Sequence, residues 1–128
     1  MSKIENSRVL VVDDDPLMRK YVCTVLGRVG VGELRECADG VAALNEVASF
    51  KPDIVLTDIH MEPMGGLEFV RQLREHAAIE MRKTRVIFMS ADSSKATLEE
   101  ALPLGTFGYI VKPPRPETLR SKLELALK

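Results

Sequence analysis

Four short aliphatic runs constrain this chain more than any other feature: Val9–Val12, Ile54–Thr57, Val86–Met89 and Tyr109–Val111. They are rich in β-branched residues and do not alternate with polar ones. A strand with one wet face alternates, so a continuous apolar run reads as a strand covered on both faces. Segments of helical period lie between the runs. Leu17, Met18, Tyr21, Val22, Val25 and Leu26 form an i, i+4 stripe. Leu67, Val70 and Leu73 begin a second stripe, Leu98, Ala101 and Leu102 another, and Leu119, Leu123, Ala126 and Leu127 the last. Val41–Ser49 also reads as helical. Asp15-Pro16 is an N-cap followed by proline at the first helical position, and Asp39 and Asp92-Ser93 can cap later helices. A weaker run, Leu34–Ala38, is mixed in polarity and belongs at a sheet edge. The pattern is five strand–helix units, hence an α/β fold: a five-stranded parallel sheet with five helices on its two faces.

The residue that follows each strong run is polar. Asp13 and Asp14 follow VLVV, Asp58 follows IVLT, Ser90 follows VIFM and Lys112 follows YIV. In an open parallel sheet all carboxyl ends share one edge, and ligands bind there, where the strand order reverses. Taken singly, Asp13–Asp15 is a turn and helix cap, Ser90 a helix-entry serine and Lys112-Pro113-Pro114 a stiff turn. Their joint placement behind four separate strands is what the single readings do not explain. Clustered carboxylates repel and need a cation, and hard oxygen ligands with open water positions suit magnesium. Lys112 is a cation on a flexible stem, and Ser90 offers a hydroxyl donor. Metal, ammonium and hydroxyl around one carboxylate suit phosphoryl transfer, with Asp58 as the nucleophile that becomes an aspartyl phosphate.

Bulk properties narrow the partners. With 128 residues, 45% hydrophobic and 29% charged, the chain reads as one soluble globular domain spanning 1–128. A formal net charge of −1 gives no reason to expect nucleic acid or an anionic membrane as a direct partner. No apolar run is long enough to span a membrane, and MSKIENSRVL lacks the apolar middle of a signal peptide. Cys23 and Cys37 have neither metal-site nor redox spacing and read as small apolar residues. These features fit a cytoplasmic protein.

VLVVDDD, PDIVLTDIHM…GGLE, VIFMSA and GYIVKP, in this order and spacing, resemble the receiver domain of two-component response regulators over nearly the whole chain. The resemblance implies a flavodoxin-like, doubly wound sheet of order 2-1-3-4-5. It implies that Asp58 accepts a phosphoryl group from a phosphohistidine on a sensor histidine kinase or histidine phosphotransfer protein. Mg2+ would be held by Asp14, Asp58 and the main-chain carbonyl of His60, with Asp13 acting mostly through water. Lys112, across a cis bond to Pro113, would contact the phosphoryl group. Ser90 would move to bond it, and Tyr109 would turn inward afterwards. The face built from Lys95–Leu104, Phe107–Val111 and Pro116–Lys128 would then signal to a downstream protein or output domain. His60 and Asp92 would border the path of the attacking water and tune the lifetime of the phosphoryl group.

The chain departs from that pattern in places. Glu62 stands where proline usually follows the methionine, with Pro63 one step later. Gly65-Gly66 predicts a looser loop after Asp58, and Glu62 adds charge near the metal. Pro103 should end or kink the helix of the signalling face, and Pro114 replaces an aromatic. Asp13-Asp14-Asp15 also resembles the start of haloacid dehalogenase-class phosphatases. That class wants threonine or valine where Leu17 stands, and Ser90-Ala91-Asp92 is a poor substitute for its later acidic pair. A receiver that only binds and is never phosphorylated is a further alternative, against which the intact acids, Ser90 and Lys112 argue. A flavin role is disfavoured by the acidic rim.

Overall fold

The computed structural model describes residues 3–91 and 95–128, apart from the side chains of Lys95, Thr97 and Leu98. Five strands, β1 (Arg8–Val12), β2 (Glu33–Cys37), β3 (Ile54–Asp58), β4 (Arg85–Ser90) and β5 (Tyr109–Val111), form one sheet in the order β2-β1-β3-β4-β5. All pairings are parallel; Val9–Val12 run beside Ile54–Thr57, and Ile54–Asp58 beside Arg85–Met89. The strand order reverses between β1 and β3, so their carboxyl ends flank the crevice where such sheets bind ligands.

Alternate residues of each strand feed opposite cores, as a period of two requires. Val9, Val11, Ile54, Leu56, Ile87, Met89 and Ile110 pack with helices α1 (Pro16–Val29) and α6 (Pro116–Ala126). Leu10, Val12, Val55, Val86 and Phe88 pack with α2 (Gly40–Phe50) and α3 (Gly66–Arg74) on the other face. Both faces are covered, which is why the central strands show no polar alternation. β2 sits at the edge and is largely exposed, matching its mixed sequence.

The helix starts follow the capping residues. Asp15 accepts from the amides of Leu17 and Met18, and Asp39 from that of Ala42. The Asp92-Ser93 cap lies outside the described residues. Helix α5 (Lys95–Ala101) gives way at Pro103 to a 3-10 turn, Leu102–Leu104, as a missing N–H and a clashing ring require.

Two expectations need correction. Among the described residues there are six α-helices rather than five, because a single turn, α4 (Ile79–Arg82), forms between α3 and β4. Its Met81 is buried, while Arg74 donates to the carbonyls of Arg82 and Thr84 on either side of the exit. Secondly, the α1 stripe is not wholly buried. Val22, Val25, Leu26 and Val29 enter the core, but Leu17 is 80% exposed and Tyr21 43%. The first turn of α1 stands on the rim, above the sheet edge, so nothing in the core reaches its outer side. Among the described residues no helix is long and apolar enough to cross a membrane.

Candidate functional site

The carboxyl ends of β1, β3, β4 and β5 bring four chemically active side chains into one crevice. Asp13 follows β1, Asp58 ends β3, Ser90 ends β4 and Lys112 follows β5. Asp13, Asp58 and Ser90 are buried, whereas Asp14 is exposed at the mouth. One carboxylate oxygen from each of Asp13, Asp14 and Asp58 lies within 4.8 Å of the others. The Lys112 ammonium donates to Asp13 Oδ2 and, at 2.9 Å, to Asp58 Oδ2.

Each group is held by its surroundings. Asp13 Oδ1 accepts from the Asp15 amide at 2.9 Å, and the Asp13 amide donates to the Cys37 carbonyl of β2 at 3.0 Å. Asp58 Oδ1 accepts from the Ile59 amide at 2.7 Å, leaving Oδ2 to the lysine. The Lys112 amide donates to the Ser90 carbonyl at 2.9 Å, which locks the ends of β4 and β5 together. The Lys112–Pro113 bond is cis, as the resemblance implies. Burial alone would lower the Lys112 pKa; hydrogen bonds and charge from Asp13 and Asp58 outweigh it and hold the ammonium above the ordinary lysine value.

The donor set meets the requirement for a hard divalent cation. Three carboxylates face one ammonium, so two negative charges stay uncompensated. The ligand atoms that Asp13, Asp14 and Asp58 offer are all carboxylate oxygens, and the exposed side of Asp14 leaves room for water ligands.

The other implied residues are placed less decisively. His60 is exposed on the loop after β3. Tyr109 packs its ring against the α3-side core, and its hydroxyl is buried with no hydrogen-bond partner among the described residues. The ring stands in the inward position. Asp92 lies outside the described residues.

The loop after Asp58 corrects the expectation of looseness. The Gly66 amide donates to the Ile59 carbonyl at 2.9 Å, and a Cβ at Gly66 would overlap the Asp58 carbonyl oxygen. A Cβ at Gly65 would come within 2.9 Å of the Ile59 carbonyl. The glycines are there because the backbone passes so close, not to give slack. Met61 is buried, and the Met64 carbonyl accepts from the Gly40 amide of α2 at 3.0 Å. The Glu62–Pro63 bond is also cis, which the shifted proline did not foretell. Glu62 is exposed and lines a shallow groove with Asp14, His60 and Gly65; it is not one of the clustered carboxylates.

Three contacts at this rim are carried by no motif in the sequence. Arg19 donates to the Asp13 carbonyl at 2.6 Å and to Glu36 Oε1 at 3.0 Å. The Tyr21 hydroxyl donates to the Pro114 carbonyl at 3.1 Å, tying α1 to the β5–α6 connection. The Gly40–Met64 bond clamps the loop after Asp58 to α2. The only cue for Arg19 was its place one helical turn beyond the Asp15 cap.

Comparison with known proteins agrees with this geometry. Residues 9–124 match the model of the response regulator receiver domain. The chain is 33% identical over 121 residues to the chemotaxis protein CheY1 of Helicobacter pylori, covering 94% of this chain and 96% of that protein. It is 33% identical over 120 residues to chemotaxis protein CheY-3 of Vibrio cholerae, covering 94% and 91%. The solved structure of chemotaxis response regulator CheY4 of Vibrio cholerae is similar with a TM-score of 0.82 at 31% identity, over 94% of this chain and 98% of that one. A family of phosphoacceptor signalling switches, rather than a classical enzyme family, accounts for both the sheet and its rim: this chain belongs to the response regulator receiver domains.

Proposed function

We propose that the chain is a cytoplasmic switch in which Asp58 takes a phosphoryl group from a phosphohistidine on a sensor kinase or histidine phosphotransfer protein. The observation that carries this reading is the Lys112 ammonium shared between Asp13 and Asp58, beside an Asp14 carboxylate open to solvent. Asp14, Asp58 and the His60 main-chain carbonyl would hold Mg2+, with Asp13 mostly through water. Bound there, the ion supplies charge neutralisation for the phosphoryl oxygens.

The chain's own residues do the rest. An Asp58 carboxylate oxygen bonds to phosphorus as the donor's N–P bond breaks, and the bonding pair stays on the imidazole nitrogen. The Ile59 amide orients that carboxylate. Lys112 gains the phosphoryl oxygens as acceptors while keeping Asp13. Ser90, at the end of β4, donates to the phosphoryl group, and its shift is passed to the face of α5, β5 and α6. Tyr109 favours the inward position in that state. The new charge acts by stabilising one of two existing states more than the other. The donor docks beside α1, where Leu17 and Tyr21 offer apolar surface next to the crevice. Incubation with acetyl phosphate and Mg2+ tests the reading by intact mass. A gain of one phosphoryl group in the wild type, absent in Asp58→Asn, supports it; a gain that persists in Asp58→Asn overturns the assignment, and no gain at all in the wild type favours a receiver that only binds.

A further inference from the structure

The Asp14 carboxylate has no hydrogen bond or ion pair among the described residues. Asp13, by contrast, is fixed through its amide, both carboxylate oxygens and its carbonyl. The direction of the Asp14 side chain therefore depends on its backbone, and that backbone begins with the planar peptide joining Asp13 to Asp14. The carbonyl of this peptide accepts from Arg19 Nη1 at 2.6 Å. Arg19 Nε is in turn bonded to Glu36 Oε1 at 3.0 Å, and the arginine side chain is only 20% exposed. The planar guanidinium thus has one edge on the edge strand β2 and another on the peptide between the two acids.

We propose that Arg19 is a positioning residue for the cation site: it sets the rotation of the Asp13–Asp14 peptide and so aims the Asp14 carboxylate into the crevice. The inference rests on the reading of this rim as a Mg2+ site. Glu36 has a double part. It fixes the guanidinium, and it offsets a positive charge that would otherwise weaken the pull of the crevice on a divalent ion. The arrangement also accounts for an acid at position 36 in a strand of otherwise mixed polarity.

Electrostatics and positioning predict opposite signs, which makes the proposal testable. If Arg19 acted only as a nearby charge, removing it would tighten Mg2+ binding; if it aims Asp14, removing it loosens binding. The full chain is titrated with MgCl2 by calorimetry or amide chemical shifts, in wild type, Arg19→Gln and Arg19→Lys, and each protein is also melted in EDTA. The expected result is at least a five-fold weaker Mg2+ affinity in Arg19→Gln. Arg19→Lys should be intermediate, since an ammonium restores the charge but cannot bridge both partners in the plane of a fork. Melting in EDTA should change far less than affinity does. Unchanged or tighter binding in a folded Arg19→Gln overturns the proposal. Should that variant not fold, Arg19→Lys alone decides, because it keeps the charge and loses the fork that bridges the Asp13 carbonyl and Glu36. Weaker Mg2+ binding in Arg19→Lys then supports the proposal, and binding equal to the wild type overturns it. A wild type that takes up no Mg2+ defeats the reading of the site itself, whereas a wild type that binds and an Arg19→Gln that binds equally defeats only the role of Arg19.

Discussion

Lys112 and Asp14 have opposite consequences for the metal-free protein. Asp13 is fully buried and Asp58 nearly so, and Lys112 is the ammonium between them. Removing one partner of a buried ion cluster leaves the others uncompensated, at a cost of about 3 kcal/mol. Lys112→Met is therefore expected to lower unfolding stability in urea by roughly that amount, and Mg2+ should recover part of it. Asp14 is exposed and faces two like charges without a partner of its own among the described residues. Asp14→Asn should raise the melting temperature in EDTA and abolish the further rise that Mg2+ gives the wild type. A fall in EDTA for Asp14→Asn would contradict the picture of a repulsive crevice awaiting a cation. At this scale the sequence was informative where chemistry is carried by a side chain just after a strand, as with Asp13, Asp58, Ser90 and Lys112. It was silent where a long side chain reaches back to a main-chain carbonyl, as Arg19 does, because such a bond leaves no periodicity and no motif.

The elements were legible in proportion to how far their burial is dictated by pattern. Strands β1, β3 and β4, apolar throughout, could be nothing but covered, and the cap residues Asp15 and Asp39 marked helix starts. The single turn α4 was not legible, since four residues carry no helical period. Leu17 and Tyr21 continued the α1 stripe in sequence but overhang the sheet in space. The tightness of the loop after Asp58 is not legible in its sequence, for a physical reason: Gly65-Gly66 permits slack but is equally what close approach demands. Gly66→Ala decides between these. Its Cβ would overlap the Asp58 carbonyl oxygen, which is backbone and cannot swing aside. The expected loss is on the order of 1–3 kcal/mol, the range for overpacking a tight site, together with slower phosphorylation by acetyl phosphate; an unaltered melting curve would restore the slack loop. Leu17→Ala tests the exposed end of α1. It should slow transfer from a phosphohistidine-bearing protein donor several-fold, yet leave the acetyl phosphate rate alone. Equal slowing with both donors would place its effect in the crevice rather than in docking.

For the whole molecule, the thiols and the rim lysine set the alkaline limit. Burial pushes Cys23 up to about 11, with Glu36 adding and Arg19 opposing. Burial, then Glu46 and Asp39, push Cys37 up to about 11 as well. Unfolded thiols ionise from the ordinary value of 9.0, so stability present below that pH is lost as it rises toward about 11. Lys112, raised above 10.5, contributes stability that is lost only beyond that pH. Urea midpoints should fall across pH 9 to 11, and a Cys23→Ala/Cys37→Ala pair should flatten the fall; an equal slope in that pair would mean other groups control it. The two cysteines pack with opposite cores, half-buried Cys23 on α1 and buried Cys37 at the end of β2, so they read as separate thiols. At the scale of the whole sheet, the proposed role requires residues from four strand ends to act as one phosphoacceptor site. Peptide mapping of the protein after acetyl phosphate treatment, with Mg2+ and with EDTA, tests it most directly. The expected result is one acyl phosphate, on the peptide containing Asp58, formed with Mg2+ and lost with EDTA. A phosphoryl group on another peptide, or one on Asp58 that forms equally well in EDTA, would contradict it.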